Sequence, residues 1–405
     1  MTAADFDLAR VLQPIGTEAF FSRHWEREPL LIRRNDPGFY QHLVTLEAIE
    51  SFISQADARY PAIRLAKGGR FYAPEVYTHD LKYGDEIFRG VPDLEFILSE
   101  YSQGATLTLP AWHRAWPPLA RLCAGLESEL DHVVNANVYL TPPGAQGFTP
   151  HYDTHEVLVL QVAGSKHWRV YSPLAALPHR TQPFAFDTCT PPARPLLECE
   201  LSAGDLLYLP RGHVHTTTTG DQLSAHVTIG ITVYTWIELL AEACQSAVDL
   251  PELRAALPPG FAHREHARAA LARRLPMLLQ QLGRSIDADA VAERLAQRVR
   301  GARPRAPVEF RADPRGIDPH TPLRVAGAIT WSVNHDQGGL LLMLNGRRIR
   351  LQPAVEPILS AMCGTPVFTP ESLPAHISLN ARLQLARYLL GVGFLCAAGP
   401  DPAAA

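Results

Sequence analysis

Between residues 132 and 236 the chain is a succession of short β-rich runs: HVVNANVYLTPP, EVLVLQVAG, KHWRVYSP, DLLYLPRG and SAHVTIGITVYTW. Each is bounded by Gly, Pro or Asp. β-branched and aromatic side chains suit a pleated, half-buried surface, and the bounding residues supply the turns. The runs follow one another too closely for helical crossovers, which favours a barrel or jelly roll over a βαβ sheet.

The flanks read differently. Residues 1–60 read as helices, with Thr17 expected to cap one through AFFSRHW and Thr45 one through LEAIESFIS. PLLIRR between them is a strand candidate, residues 60–100 are weakly patterned, GATLTL alternates like a strand, and Pro117 can open a helix through ARLCAGLESEL. Residues 237–300 turn helical. GARPRAP (301–307) reads as a linker, and the tail pairs two helices with a hairpin turning at Asn345-Gly346. With 405 residues, two or three cores are expected. We divide the chain into a catalytic region over 1–236, a helical segment over 237–300 and a winged-helix-like module over 308–400.

A net charge of −4 gives no global attraction to nucleic acid or to an anionic membrane. The basic clusters RAALARR and NGRRIR read as solvated faces. Six scattered cysteines form no CxxC pair, which fits free thiols in a reducing cytoplasm. No apolar stretch approaches membrane-spanning length, and MTAADFDLARVLQ lacks the pattern of a signal peptide. A cytoplasmic location is expected.

The chemistry concentrates in PHYDTHEVLVLQVAGSKHWRVY. His151 and Asp153 are two apart, so on a strand both face the same way. An imidazole and a carboxylate side by side can hold adjacent positions on a metal, and a second His from a later strand completes a triangle. Three sites of an octahedron then stay open, as in non-heme Fe(II) oxygenases. GDLLYLPRGHVH offers His213 and His215 for that second His, and their spacing leaves the choice open. Lys166, at the head of KHWRVYSP, is costly inside an apolar barrel unless it meets an anion. Trp168 and His226 read as core, and His167 and Arg169 as facing the other way.

These segments, together with FFSRHWEREPLLIRR and GATLTL, resemble the JmjC-domain ribosomal oxygenases, cupin-type protein hydroxylases that use Fe(II) and 2-oxoglutarate. The resemblance covers residues 15–240 well and the tail more faintly. It implies a mainly β fold with added helices. A double-stranded β-helix (the cupin/JmjC jelly roll) would be followed by a helical dimerisation segment and a C-terminal winged-helix-like module. It implies Fe(II) held by His151, Asp153 and His215, with these three as the catalytic set. Lys166 matches the lysine that anchors the far carboxylate of 2-oxoglutarate. Asn137 matches an asparagine facing the cofactor pocket, and Tyr139 shares its face. The implied reaction couples oxidation of 2-oxoglutarate to succinate and CO₂ with hydroxylation of a protein side chain, a His or Arg of a ribosomal protein. A homodimer is implied, while the net charge and the lack of a basic recognition helix argue against a nucleic-acid partner and the lack of a long apolar stretch against a membrane.

Two positions depart from the family pattern. His155 stands where an aliphatic residue is usual, and it reads as a structural or substrate-contacting residue rather than a ligand. Gly230 stands where a small hydroxyl residue often helps to hold the cofactor, and Thr228, two residues earlier, is its candidate substitute. Other functions carried forward are the same chemistry on a peptide natural product or small metabolite, and a non-catalytic cupin regulator, which would have lost a ligand.

Overall fold

The computed structural model of the protein describes residues 6–54, 59–182, 189–302, 316–326, 331–336, 339–344 and 347–398. Two compact units result, the first comprising the described residues up to Val233 and the second those from Tyr234 onward.

In the first unit the strands are β1 (Leu30–Ile32), β2 (Arg64–Lys67), β3 (Arg70–Phe71), β4 (Thr78–Tyr83), β5 (Glu86–Pro92), β6 (Thr106–Leu109), β7 (Val133–Thr141), β8 (Glu156–Pro173), β9 (Leu197–Ser202), β10 (Leu206–Leu209), β11 (His213–Thr218) and β12 (Ser224–Thr232). All pairings are antiparallel. The sheet runs β1-β10-β8-β12-β7-β6-β2-β3, while β9 and β11 pair with β8 off this path. β4 and β5 form a separate hairpin.

EVLVLQVAG and KHWRVYSP, expected as two strands, are one. β8 runs through Gly164, pairing with β10 and β12 in its first half and with β9 and β11 in its second. Gly164 has φ +60°, and a Cβ there would lie 1.8 Å from the Leu223 carbonyl oxygen. Glycine therefore lets the strand bend from one sheet to the other without ending. Residue alternation along β8 then feeds two cores. Leu158, Leu160 and Val162 join the large core beneath the helices, and Val157, Val159, Trp168 and Val170 join a second with Cys199, Leu201, Leu207 and Leu209.

The helical layer follows local chemistry. Thr45 accepts from the Ala48 N–H and opens the helix Leu46–Ile53. The helix Pro117–Leu130 begins on proline and buries Leu119, Leu122, Cys123 and Leu126 at i, i+3, i+4 and i+7. Each such leucine contributes about 1.5–3 kcal/mol. Thr17 departs from expectation: it is the first helical residue, Gly16 holds the cap position, and the segment becomes a π-helical turn over Phe20–His24. Burial of Phe20 against Tyr208 and Trp25 outweighs the cap signal. The β4–β5 hairpin lies in a weakly patterned stretch where no strand was expected; β9 was missed although Leu197, Cys199 and Leu201 alternate with Glu198, Glu200 and Ser202.

The second unit holds helices Trp236–Ser246, Glu265–Ser285 and Ala288–Ala302. It also holds strands β13 (Leu323–Val325), β14 (Trp331–Asp336), β15 (Gly339–Leu344), β16 (Arg347–Leu351) and β17 (Leu395–Ala397) with helices Glu356–Gly364 and Leu379–Gly391. β14, β15 and β16 form a meander, and β13 pairs with β17. Leu340, Leu342, Ile358, Met362 and Leu389 share its core. The expected turn at Asn345-Gly346 and residues 303–307 of the expected linker lie outside the described residues. No helix of the described residues is long and apolar enough to cross a membrane.

Candidate metal centre

His151, Asp153 and His215 each offer one ligand atom, and these atoms lie within 4.8 Å of one another. His215 Nε2 is 3.7 Å from Asp153 Oδ2, and the two imidazole centroids are 4.4 Å apart. The backbone brings them together. The His215 N–H donates to the His151 carbonyl at 2.8 Å, and the His151 N–H donates back at 3.2 Å. The expectation of a regular strand through His151, Asp153 and His155 is corrected: β8 starts only at Glu156, and His151 sits in an isolated bridge. One further bond, from the Gly212 N–H to the Asp153 carbonyl at 2.9 Å, ties the segment down, so alignment comes from the Pro210-Arg211-Gly212 bend opposite.

Each ligand imidazole is oriented through Nδ1. In His151 it meets the Thr149 carbonyl at 2.8 Å, and in His215 the His213 carbonyl at 3.1 Å. A nitrogen facing a carbonyl must donate, which leaves the Nε2 lone pair for a metal. Burial, reinforced by His151, lowers the His215 pKa to about 4, so its ring is neutral near pH 7. Burial works against the Asp153 carboxylate, but the imidazoles of His155, His215 and His151 hold it below its usual range. His213, the other candidate, hydrogen-bonds the Pro210 carbonyl through Nδ1, and the cluster contains His215 instead.

Lys166 lies in the interior, with Nζ 3.0 Å from Thr141 Oγ1, which is itself 3.1 Å from Thr106 Oγ1. Burial lowers its pKa to about 7, and no carboxylate pairs with it among the described residues. His226 is buried, stacked on Tyr139 at 5.0 Å, and its Nδ1 has no partner. Trp168 links the two ends: its ring is 5.9 Å from that of His215 and 5.8 Å from that of His226. Thr141 follows Tyr139 by two on β7, so strand alternation could have singled it out.

Asn137 and Tyr139 share a face of β7, and β12 sets Thr228 opposite Asn137 and His226 opposite Tyr139. Asn137 Oδ1 accepts from the Ala111 N–H at 2.8 Å, and its Nδ2 is 3.4 Å from Asn135 Oδ1. Burial pushes the Tyr139 hydroxyl up. His167 and Arg169 point outward onto Glu198, at 3.2 and 2.8 Å.

A buried network missed in the sequence supports the bend. Arg211 contacts Glu26 at 2.6 Å and Glu156 at 3.3 Å, and the Tyr208 hydroxyl donates to Glu156 and accepts from the Glu26 N–H. Burial raises Glu156 to about 7 despite these partners.

The residues fit Fe(II) and 2-oxoglutarate. Two imidazoles and one carboxylate leave coordination positions open. At the other end, a buried ammonium without a counter-charge and an orphaned His226 nitrogen call for an anion.

Residues 112–239 match the JmjC domain family model. Ribosomal oxygenase 1 of Gallus gallus is 35% identical over 227 residues, 54% of this chain and 35% of that protein. Ribosomal oxygenase 2 of Mus musculus is 32% identical over 262 residues, 63% of this chain and 54% of that protein. The bifunctional lysine-specific demethylase and histidyl-hydroxylase NO66 of Aedes aegypti is 33% identical over 254 residues, 60% of this chain and 38% of that protein. The chain thus spans between about a third and about half of these relatives' length. The fold is similar to that of the Escherichia coli ribosomal oxygenase YcfD, with TM-score 0.51 and 16% identity over 95% of this chain and 98% of that one. A structure of YcfD in complex with cobalt and succinic acid gives TM-score 0.50 at 17% identity, over 95% of this chain and 99% of that one. Residues 112–239 thus match the JmjC domain model, and over part of their length the ribosomal oxygenases are similar to this chain.

Proposed function

We propose that the protein is an Fe(II)- and 2-oxoglutarate-dependent oxygenase that hydroxylates a protein side chain, a His or Arg of a ribosomal protein. The observation that carries this is a complete His151–Asp153–His215 cluster in the same unit as a buried Lys166 that meets no carboxylate among the described residues. His151 and His215 would bind iron through Nε2, and Asp153 through its carboxylate. Lys166, with Thr141, would hold the far carboxylate of 2-oxoglutarate, and Asn137, Tyr139 and Thr228 would line the face between. Bound iron and 2-oxoglutarate would supply the O₂ chemistry that leaves succinate, CO₂ and a hydroxyl on the substrate carbon. The protein's own contribution is to fix two imidazole tautomers, keep Lys166 dry and orient the target side chain. A regulator that had lost catalysis would be expected to lack a ligand, and this cluster lacks none.

A polypeptide substrate is favoured because the described residues include a whole second unit with no part in the metal cluster. A small molecule gains little from surface outside its pocket, whereas a polypeptide can use it for positioning. We further propose that the helices of residues 237–300 mediate a homodimer and that the C-terminal module acts as a winged-helix-like docking element. The test is to incubate the protein, Fe(II) and 2-oxoglutarate with ribosomal protein fragments and measure succinate and a gain of one oxygen by mass spectrometry. Oxidation of small metabolites alone would sink the substrate assignment. No succinate with any candidate would sink the activity.

A further inference from the structure

The two positions that depart from the family pattern occupy one space. A Cβ built on Gly230 would lie 2.9 Å from His155 Cδ2, 3.0 Å from His155 Nε2 and 3.0 Å from Asn135 Oδ1. A side chain at 230 would thus collide with the imidazole, and the glycine is what leaves room for it. The strand register sets Gly230 opposite Asn135 on β7 and Val157 on β8, on the face that carries Thr228 and Asn137. The His155 ring therefore lies against the β12 face that carries Thr228, two residues along the chain from Asp153.

His155 is nevertheless built unlike a ligand. His151 and His215, the two imidazoles of the cluster, each turn Nδ1 onto a backbone carbonyl. Among the described residues, neither nitrogen of the half-buried His155 has such a partner, and the residue is absent from the metal cluster. A neutral imidazole without a tether offers one donor and one acceptor, beside the acceptor Oδ1 of Asn135.

We propose that His155 is a specificity-determining residue, given room by Gly230, that hydrogen-bonds the side chain presented for oxidation. It selects planar, N–H-bearing groups (imidazole, guanidinium or amide) over aliphatic ones. An aliphatic group would leave the ring nitrogens of His155 unpaired once it excludes water, whereas a planar N–H group satisfies them. The inference rests on the reading that this centre oxidises a substrate side chain.

The test compares wild type, His155→Val, His155→Asn, Gly230→Ala and the His155→Val/Gly230→Ala double variant. Mn(II) and 2-oxoglutarate affinities, read by calorimetry, should change by no more than about twofold in His155→Val, because other residues hold both groups. A tenfold loss of Mn(II) affinity would make His155 a ligand and overturn the proposal. With ribosomal protein fragments differing only in the target residue (His, Arg, Asn or Leu), His155→Val should raise KM for N–H-bearing targets by about tenfold, as loss of one hydrogen bond implies. Preference over Leu should narrow, and His155→Asn, which keeps a donor and an acceptor, should recover most of the loss. An unchanged KM and target profile would overturn the proposal. Gly230→Ala should lower Tm in the wild-type background and much less in His155→Val; equal losses in both would refute the shared space. If wild type oxidises a small metabolite and no fragment, the polypeptide reading fails. The same KM comparison on that metabolite then decides the role of His155.

Discussion

Lys166 shows what burial does to one residue. Among the described residues its ammonium meets a threonine hydroxyl and no counter-charge, and burial brings its pKa down to about 7. The facing titratable group, His226, is held neutral by the same burial and by Lys166 itself. A carboxylate arriving from 2-oxoglutarate favours the protonated form, so binding takes up a proton once pH exceeds 7. Affinity for 2-oxoglutarate is expected to be full below pH 7 and to fall about tenfold per pH unit above it. Calorimetry across pH 6–9 checks this, and Lys166→Met should abolish the slope while raising Kd by about 10- to 100-fold. At the cluster, His151→Ala and Asp153→Ala should each lose metal binding and succinate formation. His215→Ala should be inactive and His213→Ala partly active; the reverse would move the ligand by two positions. The choice between His213 and His215 was open in the sequence because both share one strand parity. It is decided by pairing across the bridge to His151.

At the scale of elements, the bend before β11 sets where His215 stands. Gly212 has φ +89°, a Cβ there would lie 2.2 Å from the Ala175 carbonyl oxygen, and its N–H holds Asp153. Arg211 beside it neutralises buried Glu156 and reaches Glu26. Arg211→Met should destabilise the fold by about 3–5 kcal/mol, because it strands a buried carboxylate. The loss has a definite pH dependence. A carboxylate raised to about 7 in the fold, above its unfolded value, stabilises at low pH and loses that contribution as pH rises through 7. Urea unfolding at pH 5 and pH 8 should therefore show the larger penalty at pH 8, and an equal penalty would place the Glu156 charge elsewhere. The bend itself was legible from Pro210-Arg211-Gly212. Its ionic support was not, since Glu26, Glu156 and Tyr208 lie far away in the chain.

For the whole molecule, the helices after residue 236 leave much apolar surface uncovered. Trp236 is 80% exposed, Leu240 65% and Met277 69%. Patches of this kind mark interaction surfaces. Light scattering at micromolar concentration should give a dimer, and Leu240→Glu with Met277→Glu should shift it towards monomer while leaving Mn(II) affinity intact. A wild-type monomer would contradict the proposed dimer.

The sequence by itself determined the β-rich middle of the chain and the His-x-Asp pair, and it singled out Lys166, which the fold buries. These are local: alternation, turn residues and spacing all act within a few positions. It also marked His155 and Gly230 as unusual, but as separate oddities. Tertiary structure decided that the two share one space. It likewise made one strand of two runs through Gly164, selected His215 over His213, and set Thr141 and His226 around Lys166. Each of these depends on antiparallel register between strands far apart in the chain, and register is set by cooperative burial of both sheet faces rather than by any one segment.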